Sequence, residues 1–413
     1  MPTTTRSRIA YVSAVVVCGI LAGLVGLATT FALHELQHLT FGYHSGSLLL
    51  GVSDAPWQRR LAGPVLGGGV AAFCWWALRR RRRIVPLSEE VRAGERIDTV
   101  GQSADAVIQL IVVGTGGSLG REGAPRQLAA VAAARVTRLL CIEDEQRRVL
   151  WASAAGAGLT AVYNVPLGGA LFTVQVLLRS WRPATVITAL ATSTIAAATA
   201  WPVEHGAPTF DWPVTHPDWG SALFAVLVAP VAVGIGWAFE ALTGRVDPST
   251  RRGWRIVPQV AAAGLLTGTA ALYLPALPGN GKSLVTTAFS PSVTLATVGA
   301  AVILKPLLTA AYLRAGANGG LLTPAFATGV SAGAFVALGI AALGGTDSVP
   351  AFGLIGGAAV LAITQDAPLF AAFFAWELVR PPFDGLLVLL LAALTAHLLA
   401  RLIRRRRTQR GPN

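Results

Sequence analysis

The stretch Gly114-Thr115-Gly116-Gly117-Ser118-Leu119-Gly120-Arg121-Glu122-Gly123-Ala124-Pro125 sets a glycine-rich turn and a carboxylate inside an otherwise apolar region. Glycine lets the chain turn sharply, and a turn that opens a helix leaves the first backbone N–H groups without intrahelical partners. Such amides, aided by the positive end of the helix that follows, can hold an anion without a fully buried cation. Gly120, Arg121, Gly123 and Ala124 are therefore candidate anion-binding positions. Glu122 lies among them as a tethered anion, able to occupy the same place and to leave it when protonated. The plainer reading is an Arg121–Glu122 ion pair at a membrane interface.

Outward from this turn the sequence is that of an all-α membrane protein. Of its 413 residues 53% are hydrophobic and 13% charged, with a mean hydropathy of +0.59, outside the balance of a water-soluble domain. Apolar runs at residues 9–33, 61–78, 186–200, 223–242, 260–274, 293–311 and 386–399 approach the roughly 20 residues that cross a bilayer as a helix. The shorter runs suit tilted or half-spanning helices. Continuous runs rather than two-residue alternation select helices over a barrel. The first run is too long for a signal-peptide core and ends in no small-x-small cleavage site, so it is expected to stay in the mature protein. Cys18, Cys74 and Cys141 are scattered and odd in number, which indicates neither a disulfide framework nor a thiolate metal site.

The net charge of +13 comes from arginines at the ends of apolar runs: Arg6 and Arg8, Arg79 to Arg83, and Arg401 with Arg404 to Arg407. The positive-inside rule then puts all three clusters, and both termini, in the cytoplasm of a multi-pass protein of the cell membrane. No interleaving of aromatic with basic residues accompanies the charge, which argues against a nucleic-acid partner.

A repeat is concealed in the apolar sequence. Tyr163-Asn164-Val165-Pro166-Leu167-Gly168-Gly169-Ala170-Leu171-Phe172 parallels Gln365-Asp366-Ala367-Pro368-Leu369-Phe370-Ala371-Ala372-Phe373-Phe374, and each follows a run of small residues. Internally duplicated transporters show such halves, with the ion site at mid-membrane where broken helices meet.

Gly120-Arg121-Glu122-Gly123 resembles the G-[KR]-E-G-P signature of the CLC family of chloride channels and proton-coupled chloride transporters, with Ala124-Pro125 in place of the single proline. Gly319-Gly320-Leu321-Leu322-Thr323-Pro324 is similar to the family's G-G-x-F-x-P segment, with Leu322 where phenylalanine is usual. The resemblance implies a CLC-like fold of two inverted-topology repeats with many tilted and partial helices. It implies a transmembrane domain over residues 9–403, in halves 9–202 and 221–403, flanked by a cytoplasmic segment 1–8 and a basic tail 404–413. It also implies a homodimer in membrane lipid that carries small monovalent anions, chloride foremost, with Glu122 as gate and the amides of Leu321 and Leu322 facing the anion. No cofactor is implied, and no enzyme activity.

The departures bear on selectivity. The family's G-S-G-I-P segment appears only as Arg83-Ile84-Val85-Pro86, which puts its serine near Arg83 and leaves Val85 as a backbone candidate. The family's anion-binding tyrosine has no counterpart after Tyr312. A fluoride exporter on the same scaffold and an inactive relative are the alternatives. Proton-coupled members commonly carry a glutamate where Val176 stands, and its neighbour Gln175 cannot titrate either, which implies weak or no proton coupling unless an acid such as Glu377 supplies a path.

Three rival motifs remain. His34-Glu35-Leu36-Gln37-His38 reads as H-E-x-x-H, with His44 at the spacing of a third zinc ligand, the pattern of a membrane zinc protease. The turn glycine is one step late, at Gly42 after Phe41, so interfacial histidines are the preferred reading. Gly279-Asn280-Gly281-Lys282-Ser283 looks like the end of a phosphate loop, but Ala276 stands where its first glycine belongs. Lys305, inside an apolar run, is expected to snorkel or to pair with an acid.

Overall fold

The computed structural model describes residues 5–94, 96–213, 216–244, 251–345 and 348–409. Its helices, in chain order, are α1 (Thr5–Phe41), α2 (Leu48–Asp54), α3 (Trp57–Arg81), α4 (Leu87–Ala93), α5 (Thr99–Gly114), α6 (Gly123–Leu139) and α7 (Asp144–Tyr163). There follow α8 (Pro166–Leu171), prolonged by a π-helical turn over Phe172–Leu177, then α9 (Pro183–Glu204), α10 (Trp219–Leu227), α11 (Ala229–Thr243), α12 (Ile256–Tyr273) and α13 (Lys282–Ala288). The chain closes with α14 (Leu295–Ala315), α15 (Leu322–Ala342), α16 (Val349–Thr364), α17 (Pro368–Val379) and α18 (Phe383–Gln409). Residues 1–4 and 410–413, the outer parts of the expected terminal segments, lie outside the described residues. The helical α18 already runs through Arg404 to Arg407.

Among the described residues, 7 helices are long and apolar enough to cross a bilayer. They include six of the runs read from sequence. The remaining run, 223–242, is broken: α10 and α11 meet at an angle of 48° around Val228. Pro230 in the first turn of α11 lacks the N–H that would continue the hydrogen-bond ladder. The seventh span, α15, was not among the apolar runs; it is rich in Gly and Ala and is the most buried of the spans. Its small residues serve packing. A Cβ on Gly329 would strike the backbone of Gly356 in α16, so these helices touch backbone to backbone.

The repeat is visible as geometry. Asn164 and Asp366, the small polar residues ahead of each Pro-Leu pair, both adopt left-handed backbone, with φ of 54° and 51°, a conformation Asn and Asp tolerate better than most residues. Pro166 and Pro368 then open α8 and α17, where a missing N–H costs nothing. These two helices pack against each other in opposite directions and cap one another. The Glu377 carboxylate near the end of α17 accepts from Leu167 N (2.9 Å) and Gly168 N (2.7 Å) at the start of α8. In return Gln175 Oε1 near the end of the π turn accepts from Phe370 N (2.7 Å) at the start of α17. Each segment ends on an arginine in left-handed backbone, Arg179 and Arg380. Arg179 follows Pro166 by one residue more than Arg380 follows Pro368, and the π turn absorbs that residue.

Contacts bring the three basic clusters to one end of the bundle. Arg6 shares a surface recess with Glu143, and Arg147 beside it donates to Gly94 O after α4. Glu90 of α4 accepts from Asp98 N, which pairs with Arg82. Arg92 reaches Leu177 O, and Asp366 stands between Arg179 and Arg401.

Glu377→Ala should leave the buried Gly168 amide and the partly buried Leu167 amide unpaired, at a cost of about 1–3 kcal/mol. Thermal unfolding in detergent should show a clearly lower midpoint, whereas an unchanged midpoint would mean that this cap does not stabilise the fold.

Candidate functional site

The glycine-rich turn lies where the two halves of the chain meet. After α5 the backbone reverses through Gly116 (φ 99°), and Gly117 N donates back to Val112 O (2.8 Å). The chain then bends again, with Leu119 N donating to Gly117 O (2.8 Å), and reaches Gly120, which exchanges two backbone hydrogen bonds with Gly320: Gly120 N to Gly320 O at 2.7 Å and Gly320 N to Gly120 O at 3.0 Å. This clasp brings the starts of α6 and α15 together. A Cβ on either glycine would collide with the seated Glu122 side chain, so glycine at both positions leaves room for the carboxylate.

Glu122, the residue before α6, has no exposed surface. Its carboxylate sits at the start of α15. One oxygen accepts from Leu322 N (2.8 Å) and Thr323 N (3.3 Å), the other from Thr323 Oγ1 (2.7 Å) and Tyr163 Oη (3.4 Å). Asn280 Nδ2 donates to Tyr163 Oη at 3.2 Å. These are the orphan donors of a helix N-terminus, supplemented by side-chain hydroxyls, and a negative charge satisfies them.

Cavities open on both sides of this carboxylate. One, of about 270 Å³, is lined by residues that include His34, Gln37, Arg121, Asn280 and Lys282. The other, of about 210 Å³, is lined by residues that include Ile84, Ser88, Gly123, Arg126 and Asn318. The residues on either side of Glu122 thus face opposite ways: Arg121 belongs to the first cavity, here called outer, and Gly123 to the second, here called inner.

Most of the residues picked from sequence come together, in different roles. The Leu322 amide contacts the carboxylate directly, and Leu321 precedes it as the N-cap of α15. Gly123 and Ala124 form the first turn of α6. Three positions make other contacts in the structure. The Gly120 amide is taken by Gly320, so it joins the halves and does not face an anion. The Arg121 guanidinium turns to the outer side, 4.8 Å from the Tyr163 ring, and donates to Val162 O (3.0 Å), so it makes no ion pair with Glu122. Val85 accepts from Gln102 Nε2 (2.8 Å) while its neighbours Ile84 and Pro86 line the inner cavity.

Lys305 neither snorkels nor pairs with an acid. It is fully buried, and Nζ donates to Gly279 O (2.6 Å), Ser118 Oγ (2.9 Å) and Leu277 O (3.3 Å). It thereby staples the Gly279–Ser283 loop, expected only as a helix connection, to the glycine-rich turn. Tyr163, quoted above only as part of the repeat, was missed as a site residue because its hydroxyl arrives from the other side of α7. Asp105 also escaped notice. Its buried carboxylate accepts from Trp75 Nε1 (2.7 Å), Gln109 Nε2 (2.7 Å), Gln127 Nε2 (2.8 Å) and Asn318 Nδ2 (2.8 Å). An acid within an amphipathic stretch carries no local signal of such a network.

Among the described residues, no group of three or more His, Cys, Asp and Glu side chains could hold a metal. The His34 and His38 rings lie 6.5 Å apart, His38 packs edge-on against Tyr43, and His44 is exposed.

Residues 67–401 match the family model described as voltage gated chloride channel. The chain belongs to that family. This CLC chain is 29% identical over 399 residues to the voltage-gated ClC-type chloride channel ClcB of Salmonella typhimurium, with 94% of each covered. A putative chloride channel protein, ClcB-like, of Ralstonia nicotianae is likewise 29% identical, over 401 residues and 92% of each. In fold, the CLC chain superposes on a slow cyanobacterial Cl⁻/H⁺ antiporter with a TM-score of 0.80 at 18% identity, covering 95% of each chain. For a CLC-type fluoride/proton antiporter the TM-score is 0.76 at 20% identity, with 97% of each covered.

Lys305→Met should leave the Gly279 and Leu277 carbonyls without their buried donor and release the Asn280 loop from the turn. The expected result is a lowered unfolding midpoint and, in surviving protein, reduced anion flux. Wild-type values for both would show that the staple is dispensable.

Proposed function

We propose that this protein carries chloride across the cell membrane through the two cavities, with Glu122 as the gate between them. The observation that carries the reading is the carboxylate held by the Leu322 and Thr323 amides and the Thr323 hydroxyl. A small anion satisfies the same donors, so anion and carboxylate compete for one position. Protonation removes the charge for which the amides compete and frees the side chain to swing away. The arrangement selects by sign and size with partial charges rather than with a trapped counter-ion, which lets the anion leave as well as enter.

Chloride is favoured over fluoride because the curated relatives are named as chloride channels. Coupling to protons is weak or absent in this reading. Val176 and Gln175 offer no acid on the π turn, and Gln175 is committed to Phe370 N. Glu377 is committed to the amides that open α8, beside the Asn164–Arg380 contact and away from the basic end. Both termini are cytoplasmic and two copies associate as a homodimer, each with its own path.

Purified protein in liposomes loaded with chloride should release it, faster as pH falls. Glu122→Gln should be fast at every pH, since an amide cannot recharge and return to the site. Wild-type pH dependence in that variant would remove Glu122 from the gate. Fluoride flux tenfold above chloride, about 1.4 kcal/mol of preference, would reverse the choice of anion.

An imposed chloride gradient should dissipate without uphill proton movement. Sustained proton pumping that is lost in Glu122→Gln would instead identify an exchanger.

A further inference from the structure

The inner cavity contains a cation that none of the contacts above requires. Arg126 stands one helical turn after Glu122 on α6. Its Nε donates to Glu122 O at 2.8 Å, and its guanidinium lies 5.1 Å from the centre of the Phe172 ring. Among the described residues, no carboxylate oxygen comes within 4.0 Å of it, and its two terminal amino groups make no hydrogen bond. They border the cavity.

The other side-chain amide donors on the cavity wall are already engaged, while Gln109 Oε1 has no hydrogen-bond partner. Gln109 Nε2 donates both its hydrogens, to Asp105 and to Gln127 Oε1 (2.8 Å), and Gln127 Nε2 donates to Asp105 and to Gln102 Oε1 (2.9 Å). Asn318 Nδ2 also donates to Asp105. The donors left toward the cavity are the guanidinium amino groups and the Ser88 hydroxyl, among the apolar side chains of Ile84, Leu87 and Leu177. A half-buried guanidinium whose amino groups border a cavity of mixed polar and apolar lining is stabilised when an anion joins it. We infer that Arg126, assisted by Ser88, binds a small monovalent inorganic anion in the inner cavity, one step below the Glu122 gate. This side-chain site stands where the serine and tyrosine ligands expected from the family resemblance are missing, and Ser88 lies two residues beyond the Pro86 to which that resemblance extended.

The inference rests on the anion-transport reading and deepens it. An anion at Arg126 would be pre-loaded next to the α15 amides, ready to take the place of the carboxylate when Glu122 is protonated. The guanidinium also holds the gate residue's own carbonyl, so anion position and gate backbone are linked through one side chain.

Chloride titration calorimetry on the purified protein and chloride efflux from liposomes separate the two readings. Arg126→Gln should weaken chloride affinity at least tenfold and slow efflux, Arg126→Lys should recover part of both, and Ser88→Ala should have a smaller effect in the same direction. Wild-type protein that passes no anion overturns the transport reading itself. Wild-type protein that passes chloride, with Arg126→Gln unchanged in affinity and rate, overturns this inference alone. If Arg126→Gln fails to fold, the unmodified protein still decides the matter. A bromide anomalous peak within hydrogen-bond reach of the Arg126 amino groups supports the site, and bromide found only elsewhere along the path overturns it.

Discussion

The amides that open α15 hold the carboxylate that precedes α6, and nearly every unusual feature of the chain serves that contact. Two helices from different halves must begin at the same place, close enough that a side chain from one satisfies the N–H groups of the other. The Gly120–Gly320 clasp sets their separation, and the space it leaves beside the seated Glu122 admits no Cβ. Lys305 fixes the turn from behind, and Tyr163 closes the remaining oxygen from α7. In water such an arrangement would be unremarkable, since solvent could replace any partner. In a bilayer each unmet donor costs several kcal/mol, so the donors must be filled by a carboxylate, an anion or water admitted for that purpose.

The same economy governs the α8–α17 pair. Two helices that end inside the protein expose eight orphan groups between them at facing termini, and the inverted repeat solves this by letting each helix end cap the other's start. Glu377 and Gln175 occupy equivalent positions and perform equivalent bonds, yet only one has an acid group. The duplication is thus faithful in backbone and divergent in chemistry, and the π turn records the residue by which the copies differ in length.

How far the sequence could be read follows from what each feature depends on. Spans came from composition, which a bilayer dictates directly, except α15, whose small residues answer to α16 rather than to lipid. Asn164 and Asp366 were legible as a repeat because a left-handed residue before X-Pro restricts the choice of side chain. Glu122 was legible because a lone acid in an apolar stretch demands a partner. Its actual partners, Thr323 and Tyr163, were not: a threonine hydroxyl in a membrane helix most often bonds within its own helix, and a tyrosine hydroxyl reaches partners that its own sequence neighbours do not reveal. The contacts of Arg121 and Lys305 were hidden for a related reason. Their neighbours in sequence suggested pairing with Glu122 or with water, while their neighbours in space are backbone carbonyls and an aromatic face.

The clasp also bears on how the protein is made. Residue 120 is synthesised well before residue 320, and the amides that receive Glu122, the Asn280 contact to Tyr163 and the Glu377 cap on α8 all belong to the later half. While the first half waits in the bilayer, it has an acid with no seat and a helix start with no cap, but also no second wall for a passage. An ion-conducting route therefore comes into being only together with the carboxylate's receptor, so a half-made chain has no open pore through which the cell could lose its gradients.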